Sequence, residues 1–467
     1  MDHYGGACVG RFGDIEGAVS GVAKKVNTII IGLGQTGFAC ARYFKRVGEP
    51  FAVVDTRQSP PFLNDLKALM PDVDIHLGTF NAKLFRQVSR LVISPGVALT
   101  EPAIQQAAAA GVELIGDIEL FVREAKAPIL AVTGSNGKTS VVSLLGEMAS
   151  HAGRKAAIGG NIGTPALDLL NQEAVDFYVL ELSSFQLETT FSLQAHAAVV
   201  LNISEDHMDR YQGLNHYAET KLSIYKNASV AVVNQESSYA PLIPRSDSQT
   251  VIHYALTPPA TENDYGIVEG TSGTHWFVRG KNTLCPVEIL RTPGRHNQSN
   301  ALAALALGAQ VGLPDEAMCA ALKSFKGLPH RMEVVAEQED VVWYNDSKAT
   351  NPGATAAALS GMTRKAVLIA GGEAKGADFD DLKPLVAEHT QAVILLGKDA
   401  EKLEASWKGT VPLYRVGTMR EAVIKAHAIV QPGDCVLLSP ACASLDQYRN
   451  FEARGDDFSR LVKEVLS

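Results

Sequence analysis

The sequence predicts an α/β protein of three domains, each built on a largely parallel sheet. Apolar, β-branched runs alternate with helical patterns almost throughout the chain, the pattern of successive βαβ units. The alternation falls into three series. At about 150 residues per domain, 467 residues also favour three domains over one. Hydrophobic residues at 46% and charged residues at 20% supply apolar surface for several cores, which excludes the disordered and fibrous classes.

The first series runs VNTIIIG, a helix from about Gln35, FAVVD, LVIS, a helix near Glu101 to Ala110, and VELIG. Residues 1–25, glycine-rich and without periodicity, are expected to form a disordered extension before it. The second series begins at PILAVTG and continues through KAAIGG, DFYVLEL and AHAAVVLN. Residues about 230 to 290 hold VVNQ, VIHYAL and HWFVRG between turn residues, and these are expected as a small antiparallel appendage. After the punctuated segment FKGLPHRME, a hinge candidate, come VVWYND, AVLIAGG, AVILLG and DCVLLSP. The domains are accordingly placed at 26–116, 117–327 and 328–467.

The charge balance, 42 basic against 51 acidic residues, gives a net of −9 and argues against a general affinity for nucleic acid or anionic membranes. Any anionic ligand must be held locally. The six cysteines are scattered without a C-x-x-C pair, which fits reduced thiols and a cytoplasmic compartment. No apolar run approaches the roughly 20 residues that span a bilayer, and the N-terminus lacks the features of a secretory signal.

The first strand ends in Gly32-Leu33-Gly34-Gln35-Thr36-Gly37, and Asp55 closes the next strand 23 positions after Gly32. A G-x-G-x-x-G turn opening a helix lets the backbone approach a diphosphate, with Asp55 available to a ribose hydroxyl. Two readings stay open here: a dinucleotide or nucleotide site in a Rossmann-like domain, or a tight turn without ligand. Ser94-Pro95-Gly96 is a second, weaker turn for the same crevice.

The segment Thr133-Gly134-Ser135-Asn136-Gly137-Lys138-Thr139-Ser140 follows an apolar strand and precedes a helical run. It matches the shortened G-x-x-G-K-T form of a P-loop, since Val132 stands where the longer pattern has glycine. Backbone N–H groups would cradle phosphates, Lys138 would reach the terminal phosphates, and the Thr139 hydroxyl would meet Mg²⁺. Glu181 and the run Asn202 to Asp209 also fall at strand C-termini, where a parallel sheet gathers its ligands. That position makes Glu181 a metal-ligand candidate and turns His207 from a capping or surface histidine into a metal or substrate contact. Lys221 by its bare context reads as a solvated helix lysine.

Together with LELSSFQLE, NISEDHMDRY, GRHNQSNALAA, LPHRME, NDSKATNP, GGEAKGADF and SPACASLDQYRNFEARG, these motifs make the chain resemble the Mur ligases from about Val26 to its C-terminus. The family resemblance implies a Rossmann-like N-terminal domain, a central P-loop ATPase-type sheet, and a C-terminal Rossmann-like α/β domain. It also implies ATP-dependent amide formation in peptidoglycan precursor synthesis. Asn345-Asp346-Ser347-Lys348-Ala349-Thr350, where other members have a D-Y-A-H type segment, selects the branch that joins D-glutamate to UDP-N-acetylmuramoyl-L-alanine.

The resemblance assigns residues as follows. ATP would be held by Gly134, Asn136, Gly137, Lys138, Thr139, Ser140, Asn297, Asn300, Arg331, Asp346 and Lys348. Asn300 reads equally as a helix cap. His330 would join the ribose and phosphate contacts. The UDP-substrate would lie on Gly34, Gln35, Thr36, Asp55, Thr56, Arg57, Gly96, Asn161 and His207. D-Glutamate would meet Thr350, Lys375, Ser444, Leu445 and Phe451. Two Mg²⁺ sites are implied, drawing on Thr139, Glu181, His207 and a carbamate on Lys221, and the catalytic group is Lys138, His207, Lys221 and Arg331. A monomer is expected. Competing readings are an oxidoreductase with an appended NTPase, a non-catalytic nucleotide switch, and a sibling ligase for another amino acid.

Overall fold

The computed structural model describes residues 26–244, 246–291 and 294–467; the extension expected over 1–25 lies outside the described residues. The chain builds three sheets in succession. The first contains β1 (Thr28–Ile31), β2 (Phe51–Asp55), β3 (Asp74–Leu77), β4 (Arg90–Ile93) and β5 (Glu113–Ile115), all parallel in the order β3-β2-β1-β4-β5. β1 and β2 are buried on both faces, which is why they read as unbroken apolar runs rather than alternating ones. The order reverses beside β1, so a crevice opens between the C-terminal ends of β1 and β4.

The second sheet contains β6 (Ile129–Thr133), β7 (Ala156–Gly160), β8 (Phe177–Glu181), β9 (Ala197–Val200), β10 (Val230–Asn234), β11 (Thr250–Tyr254), β12 (Tyr265–Glu269), β13 (His275–Arg279) and β14 (Asn282–Pro286). Its order is β14-β13-β12-β11-β10-β9-β6-β8-β7. The expectation for residues 230 to 290 needs redrawing: VVNQ and VIHY lie in β10 and β11, which extend the parallel series. Only β12, β13 and β14 pair antiparallel, and they continue the same sheet. The alanine-rich helix Arg295–Gln310 and the helix Lys138–His151 cover one face, and small side chains such as Ala301 and Ala304 let the former pack closely.

The third sheet contains β15 (Glu333–Gln338), β16 (Val341–Asn345), β17 (Ala366–Gly371), β18 (Thr390–Leu396), β19 (Leu413–Arg415) and β20 (Cys435–Leu438) in the order β15-β16-β20-β17-β18-β19. All its pairs are parallel except β15 with β16. Trp407 on one face and Trp343 on the other are wholly buried and anchor its two cores. No described helix is long and apolar enough to cross a membrane, and the five described cysteines are free.

Candidate active site

β6 delivers the chain into the phosphate loop, and Gly137 N-caps helix Lys138–His151 at φ 84°. A side chain there would meet a second obstacle besides the left-handed backbone, because a Cβ would lie 2.5 Å from Asn300 Oδ1. The loop's shape is set by its neighbour after β9: Asn136 N donates to Asn202 Oδ1 (2.8 Å), and Asn202 Nδ2 donates to Asn136 O (3.0 Å). Ser135 Oγ adds a bond to Ser204 O at 2.9 Å. Lys138 Nζ folds back onto Gly134 O and Ser135 O, and burial pulls its pKa below the usual lysine value against the opposing fields of Glu181 and Asp206.

Glu181, at the end of β8, is 3% exposed and has both oxygens engaged. Thr139 Oγ1 donates to Oε2 (2.9 Å) and Asn161 Nδ2 to Oε1 (3.0 Å). A hydroxyl and a carboxylate at the head of a phosphate loop are the oxygen donors a hard divalent cation takes. Among the described residues no group of three His, Cys, Asp or Glu side chains is placed to hold a metal, so water and ligand oxygens would complete such a shell.

Lys221 differs from its sequence reading. It is 1% exposed, at the C-terminal end of helix Leu214–Leu222, because that helix turns it inward over Tyr217, whose ring centroid is 4.6 Å from Nζ. Its Nζ donates to Gly134 O at 3.0 Å, and burial holds its pKa well below the lysine value, with Lys138 adding to the effect. An amine does not suit a hard cation; a carbamate built on it would. His207, at φ 58°, sits with its ring 4.7 Å from that of Phe185 and its Nε2 3.6 Å from Asp206 Oδ2. Burial pushes its pKa down to about 4, so the imidazole is neutral and available as a ligand near pH 7.

Two cavities open on either side of this centre. One of about 440 Å³ lies in the crevice of the first sheet and is lined by Gly34, Gln35, Thr36, Asp55, Thr56, Arg57 and Gly96, with Asn161 closing it from the second sheet. Asp55 commits its oxygens to Leu33 N (2.7 Å) and to Arg57 N and Nε (2.8 and 2.9 Å), so it shapes the turn and presents Arg57 instead of standing free as an acceptor. The other cavity, about 380 Å³, is lined by Asn136, Gly137, Ser140, Asn297 and Asn300 from the second sheet and by Arg331, Asp346 and Lys348 from the third. Asn300 is not a cap: the helix is capped by Gly294, and Asn300 lies buried in its second turn. Burial raises Asp346 to about 7 although Ser439 Oγ (2.9 Å) donates to it, and lowers Lys348 to about 8. His330 stands behind this wall, its Nδ1 3.0 Å from Asn345 Nδ2.

Thr350, Lys375, Ser444, Leu445 and Phe451 line neither cavity. Their loops are nevertheless tied together. Arg454, buried, donates to Ser347 O (2.8 Å) and Cys442 O (3.1 Å), while Glu373 and Ala443 exchange backbone hydrogen bonds. Lys348 Nζ lies 3.9 Å from the Phe451 ring centre, Ser444 is buried, and Leu445 is 63% exposed. Lys375, at φ 50°, reaches across to Asp206 Oδ1 at 3.6 Å.

The chain is similar to known proteins along almost its whole length. Family models described as Mur ligase MurD-like N-terminal domain, Mur ligase middle domain, and Mur ligase glutamate ligase domain match residues 26–116, 132–308 and 330–442. The UDP-N-acetylmuramoylalanine--D-glutamate ligase of Nitrosococcus oceani is 51% identical over 443 residues, covering 94% of this chain and 97% of its own. The protein of the same name from Pseudomonas aeruginosa is 50% identical over 442 residues, covering 94% and 98%. The chain belongs to the Mur ligase family. Among solved structures, the UDP-N-acetylmuramate-alanine ligase of Thermotoga maritima superposes with a TM-score of 0.58 at 18% identity, covering 95% of this chain and 99% of that one. A pseudomurein peptide ligase from Methanothermus fervidus gives 0.58 at 17% identity, covering 94% and 100%. At those identities the likeness is one of fold.

In this Mur ligase several residues at the centre lie inside the quoted motifs without a role assigned to them there. Asp206 faces His207, Lys375 and Asn351 at once. Its burial would raise its pKa, yet those neighbours and Lys138 hold it below the usual carboxylate range. Arg210 donates to Pro95 O (2.9 Å) and Val97 O (3.2 Å), fastening the loop after β9 to the first sheet, with Glu188 Oε2 on its other side at 2.9 Å. Asn351 carries one signal, the Asn-Pro step that marks a capped helix start.

Proposed function

We propose that this Mur ligase joins D-glutamate to UDP-N-acetylmuramoyl-L-alanine at the expense of ATP, in the cytoplasm, as one step of peptidoglycan precursor synthesis. The relatives at about 50% identity, which carry that name over nearly their whole length, support the substrate pair. The observation that carries the mechanism is the position of Glu181, bonded through one oxygen to Thr139 of the phosphate loop and through the other to Asn161 of the first cavity. A nucleotide in the second cavity and a UDP-sugar in the first would bring their reacting ends together there. We assign the three bodies as domains 26–116, 117–327 and 328–467, binding UDP-substrate, ATP and amino acid in that order.

In the proposed reaction a carboxylate oxygen of the UDP-substrate attacks the γ-phosphorus, the bond to the β-phosphate oxygen breaks, and ADP departs. The D-glutamate amine then attacks the acyl phosphate carbon, loses a proton, and expels inorganic phosphate. Lys138 and Arg331 balance charge on the transferring phosphoryl group, and the loop N–H groups and Ser140 hold the remaining phosphates. Asn297 and Asn300 face the base end of the nucleotide, with Asp346 and Lys348 on its ribose and phosphate side. Mg²⁺, held by Thr139 and Glu181 and at a second position by His207 and a Lys221 carbamate, would supply positive charge to the phosphate oxygens. Lys375, Thr350, Ser444, Leu445 and Phe451 would receive D-glutamate.

The test is phosphate release from ATP with UDP-N-acetylmuramoyl-L-alanine and each of D-glutamate, L-glutamate and diamino acids. Release that requires both co-substrates and prefers D-glutamate is expected. Equal release with another amino acid would move the chain to a sibling specificity, and release without an acceptor would favour a nucleotide switch.

A further inference from the structure

Asn351 is 4% exposed and sits where the second and third sheets meet. It caps helix Pro352–Ser360, its Oδ1 accepting from Ala354 N at 2.9 Å. The same amide forms a reciprocal pair with Asn136 of the phosphate loop, Nδ2 donating to Asn136 Oδ1 (3.2 Å) and Oδ1 accepting from Asn136 Nδ2 (3.3 Å). Nδ2 also donates to Asp206 Oδ2 at 3.3 Å. Its orientation is therefore fixed twice, by a backbone donor that needs oxygen and by a carboxylate that needs N–H. Two residues further on, Gly353 lies so near the loop after β9 that a Cβ would fall 2.6 Å from Ser204 Oγ. Asp206 in turn receives Lys375 from the loop after β17.

We infer that Asn351 is a positioning residue that latches the C-terminal domain to the phosphate loop, so that loop geometry at the nucleotide and the placement of Lys375 for the amino acid are set together. This rests on the proposed ligase reading for the identity of the amino acid. The latch itself needs only the contacts above. A capping asparagine that served its own helix alone would have no use for an amide pair with another domain.

Serine separates the two roles, because it caps a helix as well as asparagine does but cannot span to Asn136 and Asp206. Asn351→Ser should fold and keep the wild-type affinity for the UDP-substrate, while KM for the amino acid rises at least tenfold with a smaller change in kcat. In an Asn136→Ser background, whatever that change costs at the nucleotide, adding Asn351→Ser should raise the amino-acid KM no more than threefold further. Solution scattering with a non-hydrolysable ATP analogue should give a larger radius for Asn351→Ser than for the wild type. This second reading does not depend on which amino acid is used, so a wrong substrate assignment and a wrong latch are told apart. Wild-type KM and radius in Asn351→Ser, or losses that multiply in the double variant, would overturn the latch.

Discussion

Lys138 Nζ lies 2.8 Å from the carbonyl oxygen of Gly134, folded back onto the loop from which its own helix springs. The loop is already held by Asn202 and Ser204, so this ammonium is not what shapes it. Lys138→Ala should therefore reduce turnover by roughly a thousandfold or more, the scale of a lost charge on a phosphoryl transition state. The unfolding temperature should move by no more than about 8 °C, the size of the two hydrogen bonds lost to Gly134 O and Ser135 O in a domain this large. Turnover within tenfold of wild type in a normally folded variant would sink the assignment of the loop.

Gly137→Ala should damage the same loop by a different route. Alanine at φ 84° costs about 1–2 kcal/mol, and its Cβ would press on Asn300 Oδ1. The variant should unfold earlier and bind nucleotide at least tenfold more weakly. Adding Asn300→Ser removes the collision but not the backbone strain, so it should restore part of the stability. Full stability in Gly137→Ala alone would mean that the loop relaxes into another shape.

The parallel series and the phosphate loop were legible because their signals are local: buried strands read as apolar runs, and Gly-Lys-Thr after such a strand has few other uses. VVNQ and VIHY misled because short strands flanked by turn residues look alike whether they join a parallel or an antiparallel neighbour, and pairing direction is a long-range property. Lys221 shows a sharper limit. Nothing in Glu-Thr-Lys-Leu-Ser tells which face of the helix turns inward, and only the packing of Tyr217 against the phosphate loop decides it. Asp206 and Asn351 were missed for a related reason, since each acts across a domain boundary that no spacing along the chain encodes.

Asp117 offers a stability probe away from the chemistry. It opens the helix Asp117–Glu124 where the first sheet hands over to the second, it is buried, and its Oδ1 has no hydrogen-bond partner. Burial raises its pKa to about 6 against the weaker pull of Gln186. The folded state thus binds the proton more tightly than the unfolded chain, whose carboxyl titrates near 4. By linkage this group lowers stability progressively as pH rises from about 4 to about 6, and the full cost, on the order of 3 kcal/mol, is present above that window. Asp117→Asn should match the wild type at pH 4 and exceed it at pH 8, a difference that unfolding in urea across that range measures. An identical pH slope in both proteins would show that Asp117 is ionised in the folded chain with no penalty.

Lys221 sets the last expectation. An amine with 1% exposure, bonded to Gly134 O and lacking any carboxylate within salt-bridge distance among the described residues, is held well below its usual pKa by burial. Carbamate formation consumes the neutral amine, which attacks the carbon of CO₂ and releases a proton, so it should be favoured by bicarbonate and by higher pH and reversed as pH falls. The product turns a cation into an anionic oxygen donor, which is what a hard divalent ion beside the phosphate loop takes. Lys221→Ala should abolish turnover, and formate or acetate at high concentration should restore part of it by occupying the vacated space. Removing bicarbonate should slow the wild type and leave the rescued variant unaffected. If Lys221→Ala or Lys221→Arg turns over like the wild type in bicarbonate-free buffer, the lysine does no more than tie its helix to the carbonyl of Gly134.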